Sequence, residues 1–96
     1  MEREQVIRLI SEQQQALKLF GVETLSLFGS VARKENRPDS DIDVLVDFRE
    51  KATFDRYMNL KFFLEDLLGS RVDLVTRNAL RPSMRPSIEQ EAIRVA

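Results

Sequence analysis

Apolar side chains near the start of the chain fall at Val6, Leu9, Ile10, Ala16, Leu17 and Phe20, with Glu, Gln, Arg and Lys between them. That spacing predicts one amphipathic helix, closed by Gly21. The period then shortens. ETLSLF, Glu23 to Phe28, alternates polar and apolar residues and predicts a short strand ended by Gly29. Ser30 to Lys34 has the length of one helical turn, and ENRPDS after it is a polar loop of turn-forming residues.

DIDVLVDF, Asp41 to Phe48, returns to strand, with Ile42, Val44 and Val46 on one face and Asp41, Asp43, Leu45 and Asp47 on the other. Between Thr53 and Leu68 the apolar set Phe54, Tyr57, Met58, Leu60, Leu64, Leu67 and Leu68 predicts a second long helix, with Gly69 as its C-cap. In this stripe Tyr57 reads as core. RVDLVT is a third strand, with Val72 and Leu74 facing one way and Arg71, Asp73 and Val75 the other. From Arg77 onward, Pro82 and Pro86 predict a loop, and SIEQEAIRV with its Ser87-x-x-Gln90 capping box predicts a short terminal helix.

Helix, strand, short helix, strand, helix, strand, helix is the order of an α/β (α+β) fold: a small β-sheet packed on helices, its other face partly open. There is no internal repeat and no linker, so residues 1–96 read as a single domain, with no length for a separate substrate-binding domain.

Composition narrows the chemistry. Fifteen Lys and Arg against sixteen Asp and Glu give a net charge of −1, so no whole-chain basic field is available to grip nucleic acid, which is not expected as a direct partner. Cysteine and histidine are absent, which removes disulfides, thiolate nucleophiles and imidazole catalysis. Carboxylates, hydroxyls, Lys and Arg remain. No apolar run approaches membrane-spanning length and the N-terminus is charged, so a soluble, cytoplasmic protein without a membrane partner is expected.

The informative stretch is Gly29-Ser30, ten intervening residues, then Asp41-x-Asp43. Two carboxylates two apart on a strand project to one side, with Cα atoms roughly 6.6 Å apart. Hard cations such as Mg²⁺ prefer carboxylate, water and phosphate oxygens, and two such ions can activate an attacking oxygen and stabilise a leaving phosphate. A third carboxylate is needed to complete such a site. Asp47 lies about 13 Å along the strand from Asp43, too far to join it, whereas Asp73 on a neighbouring strand can face Asp41 and Asp43. Gly29 permits a tight path after its strand, Ser30 adds free N–H groups and a hydroxyl for phosphate oxygens, and Arg33 follows one turn later as a secondary phosphate partner. Arg71, Arg77, Arg81 and Arg85 either steer an acidic partner or are simply solvated. An EF-hand reading of Asp39, Asp41, Asp43 and Glu50 fails at its sixth position, where Val44 stands in place of the required glycine.

LFGSVARKENRPDSDIDVLVDF, LLGSRVDLVT and ALRPSMRPSIEQEAI together resemble the DNA polymerase beta superfamily of nucleotidyltransferases, specifically the minimal MNT type that partners HEPN toxins. The resemblance spans most of the chain. It implies a polymerase-beta-like fold in which Gly29 and Ser30 bind the nucleotide phosphates, Asp41 and Asp43 bind Mg²⁺, and Asp73 is the third acidic position. It also implies ATP as donor and a HEPN-type toxin as partner, silenced by adenylylation of a tyrosine. Two other readings stay open: a binding antitoxin that blocks its partner sterically, and a transferase acting on a small molecule or an RNA end. A homo-oligomer is also open.

Overall fold

A computed structural model describes all 96 residues. Helices α1 (Arg3–Ser11) and α2 (Gln14–Leu19) lead into strand β1 (Val22–Phe28), the one-turn helix α3 (Gly29–Ala32) and strand β2 (Ile42–Phe48). Helix α4 (Phe54–Leu68), strand β3 (Val72–Thr76), a 3-10 turn at Arg77–Ala79, helix α5 (Arg85–Glu91) and strand β4 (Ile93–Arg94) complete the chain. The sheet is mixed, in the order β3-β2-β1-β4. β1 runs antiparallel to both β2 and β4, whereas β2 and β3 are parallel and joined through α4, as a parallel pair requires a crossover connection.

One sheet face carries the main core. Val6, Ile10 and Leu17 from the N-terminal helices and Leu60, Leu64 and Leu68 from α4 pack on Leu25, Leu27, Ile42, Val44, Val46, Val72 and Leu74. Burying these side chains stabilises the fold by about 1.5–3 kcal/mol each, and truncating one such as Leu64 costs about 2–5 kcal/mol. Helix α4 is capped at both ends, at its C-terminus by the glycine its sequence predicts. Thr53 accepts a hydrogen bond from the Arg56 N–H, and Gly69 takes the left-handed C-cap conformation at φ 64°.

Three expectations need correction. The first helix is two, because the chain leaves helical geometry at Gln13 (φ −107°, ψ 28°); the break lets Val6 and Ile10 from one helix and Leu17 from the next enter the same core. The opposite sheet face is partly open, as expected: Leu80 and Ile88 close over Phe28 and Leu45, while Asp73 stays exposed. The terminal helix starts at Arg85, before the Ser87 box, and no side chain caps it. Pro86 lies in its first turn, where a missing N–H costs no intrahelical bond. A fourth strand, β4, follows that helix and was not expected; with the last residues it is held to β1 by backbone bonds, among them Val95 N–H to the Leu25 carbonyl at 2.8 Å.

Strand β3 is a sheet edge, and α4 covers its free backbone groups. The Glu65 carboxylate accepts the Val72 N–H at 3.0 Å, and the Tyr57 hydroxyl donates to the Leu74 carbonyl. Such capping blunts edge-to-edge pairing. Tyr57 thus packs against the core as its position in the stripe predicts, with its hydroxyl satisfied at the strand edge.

Candidate active site

The site forms where β1 ends and β2 and β3 begin. Phe28 pairs with Asp43 across the antiparallel ladder, and Asp43 pairs with Asp73 across the parallel one. Residues aligned in a parallel pair present their side chains to the same sheet face. Asp43 and Asp73 are therefore neighbours, as the alternation of each strand predicts. Burial first, then the charges of Asp73 and Asp41, push the Asp43 carboxyl up to about 6. Arg33 acts weakly in the opposite sense.

Gly29 turns the chain directly beneath Asp43. Its φ is 73°, and a β-carbon placed there would lie 2.0 Å from one Asp43 carboxylate oxygen and 2.8 Å from its carbon. Glycine is required twice over, once for the left-handed backbone and once for the space. Helix α3 starts at Gly29, one residue earlier than expected, and its far end is fastened to α1: Arg3 donates to the Ala32 carbonyl at 3.2 Å and Lys34 pairs with Glu4 at 3.3 Å. The glycine-serine corner is only partly buried.

Asp41 stands just before β2 and pairs with Arg71 at 3.2 Å, on the connection that leads into β3. The Arg71 side chain is 80% exposed and that of Asp41 47%, so the pair contributes at most about 1 kcal/mol and Asp41 is free to leave it. No three carboxylates stand gathered as a finished cation cage. The donor chemistry nonetheless fits a hard divalent ion: Asp43 and Asp73 repel each other at one strand junction, and Asp41 lies near enough to add its own charge.

Arg33, the C-cap of α3, is engaged by Glu91 at 2.8 Å and by Glu35 at 3.0 Å. Glu91 was not expected here. It ends α5, and its second oxygen accepts the Gly29 N–H at 3.3 Å. No sequence pattern flags it, because the contact joins positions 62 residues apart. Asp47 stays out of the site as its distance predicts: it accepts from the Thr24 hydroxyl at 2.7 Å and from Arg77 at 3.0 Å. The C-terminal arginines are not a free basic set. Arg71 pairs with Asp41, Arg77 pairs with Asp47 and Glu89, and Arg85 donates to the Arg77 carbonyl.

Residues 7–95 match the nucleotidyltransferase domain family. The chain is 37% identical over 87 residues to the protein adenylyltransferase MntA of Thermococcus cleftensis, covering 91% of this chain and 88% of that protein. A solved structure of a candidate minimal nucleotidyltransferase superposes with a TM-score of 0.85 at 40% identity, over 97% of this chain and 95% of the other. A complex of a tri-AMPylated HEPN toxin from Shewanella oneidensis with its MNT antitoxin contains a chain that superposes at a TM-score of 0.66. That match covers 94% of this chain and 71% of the other, and at 19% identity it is a likeness of fold. This chain belongs to the nucleotidyltransferase domain family, as one of its minimal MNT-type members, and is a nucleotidyltransferase.

Proposed function

We propose that this chain, acting as one domain over residues 1–96, transfers the adenylyl group of ATP to a hydroxyl of a HEPN-type partner protein, by resemblance a tyrosine, and so serves as its antitoxin. The observation that carries the reading is the Asp43–Asp73 pair set directly over Gly29. A similar protein that this chain matches over most of both lengths is itself a protein adenylyltransferase, and the structural likeness to an MNT antitoxin held with its AMPylated HEPN toxin supports the same acceptor class.

In this reading Gly29 and Ser30 receive the donor's phosphates, with Arg33 as a further cation beside them. Asp41, Asp43 and Asp73 would hold Mg²⁺, two ions in the full site, which when bound supply charge neutralisation on the phosphates and lower the pKa of the attacking hydroxyl. The hydroxyl oxygen attacks the α-phosphorus, the bond from that phosphorus to the β-phosphate's bridging oxygen breaks, and pyrophosphate leaves. Asp73, carried on the edge strand and exposed, accepts the proton released by the hydroxyl. Asp43 contributes through its position between Gly29 and Asp73, holding negative charge against the cations and leaving Asp73 open to the acceptor.

The test is mass spectrometry of the HEPN partner after incubation with this protein, Mg²⁺ and each of the four nucleoside triphosphates in turn. The reading predicts adenylyl additions on a tyrosine with ATP alone. Neutralisation of the partner with no added mass would assign the chain to steric blocking instead, and modification of an RNA end or a small molecule in its place would move the acceptor class.

A further inference from the structure

The carboxylate of Glu91 is bound in the way a phosphate is bound. One oxygen accepts the Gly29 backbone N–H at 3.3 Å, and the other accepts from the Arg33 guanidinium at 2.8 Å. Two anionic oxygens spanning a main-chain donor and a guanidinium reproduce the charge-assisted recognition that oxyanions receive in proteins. The placement is otherwise costly. Glu91 sets another negative charge beside the corner that already faces Asp43, whose own carboxyl is crowded by Asp73 and Asp41.

The backbone carrying Glu91 is fixed on both sides. Before it, Ile88 is buried against Phe28 and Leu45, and Glu89 is held by Arg77 at 2.8 Å. After it, β4 is paired to β1. The side chain alone is at liberty, a quarter exposed at the rim of the site. A rotation about its own bonds frees the Gly29 N–H and the Arg33 guanidinium together, without unfolding the tail.

We propose that Glu91 is an internal stand-in for the donor's phosphate tail: it occupies Gly29 N–H and Arg33 in the free protein, and a bound polyphosphate displaces it and takes over both. The inference rests on the reading of Gly29, Ser30 and Arg33 as the donor's phosphate seat. Its consequence is selectivity by the length of the phosphate tail. The outer phosphates of a nucleoside triphosphate reach these two donors and evict the carboxylate, whereas a nucleoside monophosphate has no tail to place there and gains nothing from them. Glu91 thereby also keeps Arg33 facing the site while no nucleotide is present.

Calorimetric titration of the full chain with a non-hydrolysable ATP analogue, and separately with AMP, in the presence of Mg²⁺, tests this. Glu91→Gln removes the charge and keeps the shape. It should tighten binding of the triphosphate analogue roughly tenfold, the size expected when one charge-assisted competitor is lost, and leave AMP unchanged. Adding Arg33→Met to Glu91→Gln should cancel the gain. Glu91→Ala should show the same preference for the triphosphate, with thermal melting confirming that each variant is folded. Equal or weaker binding of the analogue by Glu91→Gln, with wild type binding it well, overturns the proposal and leaves the donor site standing. Equal tightening for AMP also overturns it. Failure of every variant and of wild type to bind the analogue overturns the proposal together with the donor site.

Discussion

Asp43 and a side chain at position 29 cannot coexist: the Asp43 carboxylate oxygen lies 2.0 Å from where a β-carbon of residue 29 would stand. Gly29→Ala must then either push Asp43 away from Asp73 or reshape the corner, and it also places a β-carbon on a left-handed residue. The combined cost should be about 2–4 kcal/mol, read as a lower urea midpoint. Adenylyl transfer should fall further than stability alone explains, seen by assaying at a temperature where the variant is fully folded.

Asp43 trades stability for chemistry. Its carboxyl is raised from 3.8 to about 6 in the folded chain, so the folded state holds its proton more tightly than the unfolded state does between those values. The corresponding stabilisation is present below pH 3.8 and is lost as pH rises through 6. Asp43→Asn should therefore be close to neutral in stability near pH 4 and stabilising at pH 7 without divalent cation. The full shift corresponds to about 3 kcal/mol, solvent screening of this half-buried group reduces the gain to about 1 kcal/mol, and the expected rise in Tm is about 4–8 °C in a domain of this size. Urea midpoints of both proteins at the two pH values check this, and a gap that fails to widen between them would remove the claim that burial and the neighbouring carboxylates disfavour the Asp43 charge.

Divalent cation should relieve the same repulsion. Adding Mg²⁺ at pH 7 should raise the Tm of the wild type, since a ligand that binds the folded state alone stabilises it by mass action. The rise should shrink in Asp43→Asn and in Asp73→Asn. Arg71→Ala, which frees Asp41 from an exposed ion pair, should leave the metal-free Tm nearly unchanged. Scanning fluorimetry across a Mg²⁺ series reads all four proteins.

Arg77 fastens the C-terminal segment to the sheet through Asp47 at 3.0 Å and Glu89 at 2.8 Å. Arg77→Met leaves the part-buried Asp47 with only the Thr24 hydroxyl and should cost about 1–3 kcal/mol. Hydrogen exchange should quicken in α5 and β4 more than in β2 or α4, because the buried pair Leu80 and Ile88 then holds that segment with less help.

Strand alternation made much of this legible in advance. The period of two in DIDVLVDF and RVDLVT separates Val44 and Leu74 from Asp43 and Asp73, and a parallel register then sets the two aspartates side by side. What stayed hidden depends on contacts distant in the chain. Nothing in the run Glu12-Gln13-Gln14 marks a helix break, which is imposed by the need to aim Leu17 at the core. Strand β4 is two residues long and held by backbone bonds, so its side chains carry no pattern to read. Gly29 reads as a turn residue, but its exclusion of any β-carbon comes from Asp43, fourteen positions on. Glu91 looks like any solvated glutamate until the fold carries it to Gly29 and Arg33.

The most direct test of the account is transfer of α-labelled ATP to the purified HEPN partner, with Mg²⁺, by wild type and by the Asp41→Asn/Asp43→Asn double variant. Wild type should label the partner. The double variant, shown to be folded by its melting curve, should label it at less than about one hundredth of the wild-type rate, as expected when several kcal/mol of charge stabilisation is removed. Undiminished labelling by the double variant would contradict the assignment of the chemistry to these carboxylates.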